Sequence, residues 1–139
     1  MAHPAPAGAP HVHRVSIYYE DTDFSGFVYH ANYLAYMERA REHLLGREAL
    51  VSLWQDHNTG FVVYKAGLTY KSPARFGDEL EVRTRVAASS PWRLSFQQDV
   101  WRAEPEQLLV EGRIELVTVD PAGKLIQLPD VVRARLGLS

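Results

Sequence analysis

The second half of the chain alternates apolar and polar residues over four long segments, and only short turns separate them. These segments cover residues 62–70, 80–86, 92–100 and 108–116. A period of two is the pattern of a strand that buries one face. Short connections between consecutive strands predict an antiparallel sheet, and its apolar face must be covered by another layer. The first segment places the following residues on that face: Val62, Tyr64, Ala66, Leu68 and Tyr70.

The covering layer is predicted to be one long helix, from Asn32 to about Gly46, where Tyr33, Met37 and Ala40 recur at helical spacing. Asn32 is predicted as its cap and Gly46 as its stop, while a shorter helical continuation through Leu50 to Trp54 remains open. A further strand over residues 14–20 brings the sheet to about five strands. The predicted fold class is α+β, with a curved antiparallel sheet wrapped around the helix. One helix leaves apolar surface uncovered, which predicts burial of a sheet edge or helix end in a homodimer.

Composition restricts the chemistry. With 139 residues, 46% of them hydrophobic, the chain is predicted to form one domain over residues 12–139 after a flexible Pro/Ala/Gly-rich tail at 1–11. A formal charge of -2 without basic clusters argues against nucleic acid as a partner. The absence of cysteine excludes disulfides and thiol nucleophiles. No run approaches the roughly 20 apolar residues of a membrane span, so a cytoplasmic location is expected.

The segment between the first strand and the helix combines acids with a flexible glycine. Asp21, Asp23 and Gly26 precede the predicted helix start. Free amides at a helix N-terminus favour an anion, or an oxygen that becomes negative in a transition state. A carboxylate held opposite these amides could attack an acyl group or activate water.

Three other interpretations of this segment remain open. Asp21 and Asp23 could cap turns, which is the commonest role of aspartate before a helix. They could also begin a calcium loop, although Asn32 stands where the bidentate glutamate is required. An aspartyl phosphatase would require a parallel sheet with crossover helices, which the strand pattern does not provide.

One long pattern of residues runs from the loop into the helix, over residues 19–45. Its members are Tyr19, Glu20, Asp21, Thr22, Asp23, Gly26, Val28, Tyr29, His30, Ala31, Asn32, Tyr33, Glu38, Arg39, Ala40 and Arg41. This pattern resembles the hot-dog-fold thioesterases of the 4-hydroxybenzoyl-CoA thioesterase family, most closely the Tol-Pal-associated acyl-CoA thioesterases. The resemblance extends over about residues 13–119, and it implies a hot-dog fold and hydrolysis of acyl-CoA to free acid and coenzyme A.

By this resemblance, Asp23 is the catalytic carboxylate, acting as nucleophile or as general base. The amides at His30 and Ala31 would polarise the thioester carbonyl, and the His30 side chain would add a polar contact or a proton transfer. A capping or core role for His30 remains open. Tyr29 is expected to pack beside the acyl group or the helix, and Asp21 is assigned to loop-stabilising hydrogen bonds.

Lys71, Ser72 and Arg75 belong to a loop that looks like the family's loop between the second and third strands. Its cations could contact coenzyme A phosphates, although a solvated turn would have the same composition. Phe27 departs from the family, whose members more often have a small or β-branched residue there. The resemblance implies no cofactor and no metal, and a homodimer or homotetramer with sites near its interfaces. An acyl-CoA-binding sensor and a hot-dog hydratase or dehydratase remain as alternatives.

Overall fold

A computed structural model describes residues 9–138, which form a five-stranded antiparallel sheet, as predicted. The sheet order is β1-β3-β4-β5-β2, so that β1 and β2 are its edges. Residues 1–8 of the predicted tail lie outside the described residues. The predicted boundary of the tail at residue 11 is too late, since His11 pairs with Thr84. The strands are β1 His11–Ser16, β2 Gly60–Tyr70, β3 Glu79–Ser90, β4 Arg93–Arg102 and β5 Gln107–Val119.

The prediction of one long helix is wrong, because α1 (Asn32–Leu45) is followed directly by a second helix, α2 (Arg47–His57). Gly46 ends α1 as predicted, with φ at 91°, a conformation that favours glycine. The chain then turns and starts α2 instead of leaving as a loop. A short third helix, α3 (Asp130–Arg135), follows the sheet. None of the helices within residues 9–138 is long and apolar enough to cross a membrane.

The helix α1 packs on the sheet through a stripe of buried residues that includes Tyr33, Tyr36, Met37 and Ala40. Opposite Met37 the sheet contains Gly112 of β5. A Cβ on Gly112 would lie 2.6 Å from Met37 Cε and 2.7 Å from a backbone carbonyl oxygen. Glycine is therefore what allows the helix and the sheet to approach so closely.

One polar side chain lies in this apolar interface. Gln98 of β4 is completely buried, and its Nε2 donates to the Met37 carbonyl oxygen at 2.9 Å and to Thr84 Oγ1 at 3.1 Å. Its Oε1 accepts from Arg41 Nη1 at 2.8 Å. The amide thus has a partner on each polar atom, and these partners lie on α1 and β3. A satisfied buried amide fixes the register between helix and sheet.

In the first half of β2, the sequence assigns Val62 and Tyr64 to the wrong face of the sheet. Between Val63 and Lys65 the register shifts by one residue at Tyr64, which forms a β-bulge. Val62 consequently pairs with Val117 and Ala66 with Ile114, positions that alternate to opposite faces of β5. Val62 and Tyr64 are 48% and 46% exposed.

Three histidines meet where β1 crosses α1. The rings of His13 and His43 stack with centroids 4.2 Å apart. His11 Nδ1 is buried without a hydrogen-bond partner among residues 9–138. Burial, followed by the charge of His43, lowers the pKa of both His11 and His13. The neutral forms of the His11 and His13 imidazoles are therefore favoured near neutral pH.

The Gly112→Ala substitution tests the close approach of α1 and β5. We expect the free energy of unfolding to fall by about 1–3 kcal/mol, because the added methyl group would overlap Met37 and backbone that cannot move freely. Urea unfolding measures the change. Gly67→Ala is the matched control, since Gly67 lies in the neighbouring strand and a Cβ there meets nothing within 4 Å. Equal effects of the two substitutions would contradict the packing argument.

Candidate active site

A cleft of about 310 Å³ lies beside the start of α1. One wall is the loop that precedes the helix, and the other is the end of β2 with the segment that follows it. Four of the residues singled out in the sequence, Asp23, His30, Lys71 and Ser72, line this cleft together. The complete lining is Asp23, Ser25, Phe27, Val28, His30, Tyr33, Tyr70, Lys71, Ser72 and Pro73.

The Asp23 carboxylate is exposed to the cleft and is held by its own loop. Its Oδ1 accepts hydrogen bonds from the Ser25 amide at 2.9 Å and from Ser25 Oγ at 2.5 Å. The turn is closed by the Gly26 amide, which donates to the Asp23 carbonyl oxygen at 3.0 Å, with Gly26 at a φ of 83°. The Ser25 hydroxyl bond is the main reason that the pKa of Asp23 is lowered. The group is therefore a carboxylate at neutral pH.

Asp21 connects this loop to the helix, as predicted. Its Oδ2 accepts from the Tyr18 amide at 2.9 Å, and its Oδ1 accepts from Asn32 Nδ2 at 3.1 Å. The prediction of Asn32 as helix cap is wrong: Ala31 is the cap residue, and the Asn32 side chain points back to Asp21. The buried Tyr36 hydroxyl has no hydrogen bond of normal geometry within residues 9–138. Burial, and then the nearby Asp21 carboxylate, raise the pKa of Tyr36.

The entrance of α1 leaves backbone donors available. Ala31 offers no side-chain cap, and the amides of His30 and Ala31 donate to no acceptor within residues 9–138. The amides on either side of these two are paired. The Tyr29 amide donates to the Asp21 carbonyl oxygen at 2.8 Å, and the Asn32 amide donates to the Tyr29 carbonyl oxygen at 2.9 Å. Two unpaired N–H groups at a helix N-terminus can stabilise a developing negative charge.

The remaining predicted site residues are placed differently. Tyr29, Ala31 and Arg75 do not line the cleft. The Arg75 guanidinium lies 4.7 Å from the centroid of the Phe27 ring, and Phe27 does line it. Tyr29 is 46% exposed and its ring lies 4.5 Å from that of His30.

Lys71 lines the cleft but has a charged partner. Its Nζ lies 3.1 Å from Glu111 Oε1, and both side chains are about half exposed. An exposed ion pair of this kind contributes about 0–1 kcal/mol, so an anionic ligand could replace the glutamate at small cost.

Two tyrosines of the cleft were not recognised as site residues from the sequence. The helical spacing assigns Tyr33 to the apolar face of α1. In the structure its Oη accepts a hydrogen bond from the Ala74 amide at 3.1 Å. Tyr70 reads as one apolar position of a strand, but its hydroxyl donates to the His30 carbonyl oxygen at 2.9 Å. The available signal was position, since Tyr70 directly precedes the Lys71 loop.

Comparison with known proteins identifies the relatives of this chain. Residues 18–136 match the model of the Thioesterase-like superfamily. The acyl-CoA thioester hydrolase YbgC of Escherichia coli O6:H1 is 40% identical over 112 residues, which cover 77% of this chain and 80% of the relative. The acyl-CoA thioesterase YbgC of Haemophilus influenzae is 33% identical over 124 residues, covering 86% and 89%.

Solved structures also match this chain over most of its length. A 1,4-dihydroxy-2-naphthoyl-CoA thioesterase from Synechocystis superposes with a TM-score of 0.85 at 25% identity, covering 94% of this chain and 96% of that one. A hypothetical protein from Thermus thermophilus has a TM-score of 0.80 at 34% identity, with 92% and 98% covered. These matches confirm the resemblance predicted from residues 19–45.

The Ser25→Ala substitution tests what holds the Asp23 carboxylate. Removal of the hydroxyl donor should raise the pKa of Asp23 toward its ordinary value, because a bond that favours the charged form is lost. Asp23 should therefore become protonated at a higher pH in the variant than in the wild type. Carboxyl-carbon NMR across an acid titration measures this. Ser72→Ala, which changes another hydroxyl of the same cleft, should leave the titration of Asp23 unchanged, and an unchanged midpoint in Ser25→Ala would contradict the assignment.

Proposed function

The chain belongs to the thioesterase-like superfamily, and from this premise we propose that it hydrolyses the thioester bond of an acyl-CoA, releasing a free acid and coenzyme A. The proposed compartment is the cytoplasm. The observation that carries the proposal is that the Asp23 carboxylate and His30, at the unpaired start of α1, line the same cleft.

Asp23 supplies the reacting oxygen in this proposal. Both hydrogen bonds from Ser25 go to Oδ1, and Oδ2, which accepts none from Ser25, is the proposed reacting oxygen. It either attacks the thioester carbon, giving an anhydride that water then hydrolyses, or takes a proton from the water that attacks the carbon directly. In both routes the sulfur leaves as the thiolate of coenzyme A, which takes up a proton. The lowered pKa of Asp23 keeps the reacting form populated at neutral pH.

The amide of His30, which lines the cleft, and the amide of Ala31, the next residue of the chain, are the proposed donors to the thioester oxygen. That oxygen becomes negative as the tetrahedral intermediate forms, so donors that already lack a partner stabilise it without first breaking another bond. The dipole of α1 acts in the same direction. The His30 side chain, exposed and beside the same cleft, is proposed to add a polar contact to the bound thioester.

The coenzyme A moiety is proposed to leave the cleft past Lys71 and Ser72. Lys71 would exchange Glu111 for a phosphate, which is a stronger partner than an exposed carboxylate. Arg75 lies behind Phe27 and would fix that ring as a wall of the acyl pocket, with contact to the phosphates as its further proposed role. The bulk of Phe27 then limits the width of the acyl group at this end.

A homodimer formed along β2, or a homotetramer of such dimers, is the proposed assembly. Edge strand β2 exposes Val62, Val63 and Tyr64, each close to half exposed, and an open strand edge with apolar side chains favours pairing with another chain. Beside it, Phe61 and Val63 line a second cavity of about 360 Å³ between α1 and the sheet. A partner subunit at this edge would cover apolar surface that one chain leaves exposed.

The Asp23→Asn substitution tests the site. Thiol release from acyl-CoAs such as hexanoyl-CoA and benzoyl-CoA should fall by about 10²- to 10⁴-fold, the usual loss for an acid or base group, and further if the carboxylate is a nucleophile. Substrate binding, measured by calorimetry, should remain.

Glu20→Gln is the matched control, because Glu20 is an exposed acid in the same loop and lies outside the cleft. It should turn over as the wild type does. If Asp23→Asn binds and hydrolyses acyl-CoA at the wild-type rate, Asp23 is not the reacting group.

The assembly is tested by sedimentation over a range of protein concentrations. We expect a mass at least twice the 15.7 kDa of the chain, and we expect Val62→Asp to weaken association by placing a charge on the β2 edge. Val12→Asp is the control: Val12 is 46% exposed and lies on the other edge strand, β1. A monomer at all concentrations, or equal effects of the two substitutions, would exclude the proposed interface.

A further inference from the structure

Tyr70 is a residue of the cleft to which neither the sequence nor the family resemblance assigns a catalytic role. It ends β2, on the wall opposite the Asp23 loop. Its hydroxyl crosses to that loop and donates to the His30 carbonyl oxygen at 2.9 Å. The hydrogen bond joins residues 40 positions apart, so it connects the edge strand to the entrance of α1.

The carbonyl oxygen of His30 and the amide of Ala31 belong to the same peptide group. Because that group is planar, a hydrogen bond that fixes the oxygen also fixes the direction of the Ala31 N–H. Donation to the oxygen also polarises the group and makes its N–H a stronger donor. Tyr70 thereby acts on one of the two unpaired amides at the helix start without contacting the position of the thioester.

The Tyr70 ring is itself held in place. It lies edge-on to the His30 ring at 6.3 Å between centroids and tilted against the Tyr33 ring at 5.8 Å. Tyr33 in turn is 2% exposed and accepts from the Ala74 amide. The hydroxyl of Tyr70 is thus carried on a ring that rests on the buried face of α1, which allows it to hold a peptide group rigidly.

We propose that Tyr70 is a positioning residue for hydrolysis: through its hydrogen bond to the His30 carbonyl oxygen it orients and polarises the His30–Ala31 peptide that stabilises the thioester oxygen. The inference rests on the proposed function. It identifies the end of β2 as part of the machinery that stabilises the transition state.

The test is Tyr70→Phe, which removes the hydroxyl and keeps the ring. We expect kcat for hexanoyl-CoA to fall about 3- to 10-fold, the effect of one neutral hydrogen bond, while KM stays within about twofold. Tyr18→Phe is the matched control, since the Tyr18 side chain is 65% exposed and lies outside both the cleft and strand β2. This change also removes one phenolic hydroxyl and keeps the ring, and kcat should not change.

A spectroscopic measurement separates positioning from a general loss of structure. In Asp23→Asn, the infrared carbonyl stretch of bound hexanoyl-CoA should lie below that of the free thioester, because the amides polarise it. Adding Tyr70→Phe should move the band back toward the free value, and adding Tyr18→Phe should not. A structural role alone would lower the melting temperature without moving this band.

The outcomes distinguish the two proposals. If Asp23→Asn retains wild-type turnover, the proposed site is wrong. If Asp23→Asn is inactive but Tyr70→Phe keeps the wild-type kcat, or leaves the carbonyl band where it was, the role of Tyr70 is wrong and the proposed function stands. A loss in Tyr70→Phe that appears only in KM also overturns the positioning role.

Discussion

The position of α1 on the sheet depends on one buried amide. Gln98 lies in an apolar layer, where an unsatisfied polar group would destabilise the fold by about 1–3 kcal/mol, yet its donors and its acceptor are all used. Only one placement of the helix satisfies them together. Gly112 allows the same placement sterically, since a larger residue would push Met37 outward. Packing alone would tolerate small sliding of α1, whereas these two residues define where the helix begins relative to the sheet.

That placement decides what the loop before the helix can do. Asp21 ties the loop to the first turn of α1 through Asn32, and Ser25 orients the Asp23 carboxylate. The two aspartates are separated by one residue and have opposite tasks, because one has its oxygens occupied by the loop and the helix and the other faces a cleft. Neighbouring acids of the same type are thus distinguished by their hydrogen-bond partners.

The sequence predicts the repeating parts of this fold well. Alternation gives the strands, and helical spacing gives α1 together with its end at Gly46. It offers α2 only as an alternative, a shorter helical continuation through Leu50 to Trp54, since a glycine at a positive φ can lead either into a loop or into a new helix. It also assigns Val62 and Tyr64 to the wrong face, because a bulge inserts one residue without leaving a mark in the pattern. In the cleft, the proximity of Asp23 and His30 could be predicted, because they are close in sequence. The hydrogen bond from Tyr70 to His30 could not, because it depends on how an edge strand packs against the start of a helix.

Strand β2, which has eleven residues, contributes both to the open edge of the sheet and to the cleft. Its first half, with the bulge at Tyr64, faces outward at the open edge of the sheet, and its last residue reaches the entrance of α1. Both halves of the strand, on either side of the bulge, are hydrogen-bonded to β5. Substitutions in residues 60–70 therefore have to be assayed at several enzyme dilutions, because dissociation of subunits and a shifted His30 peptide would give the same loss of rate at any single one.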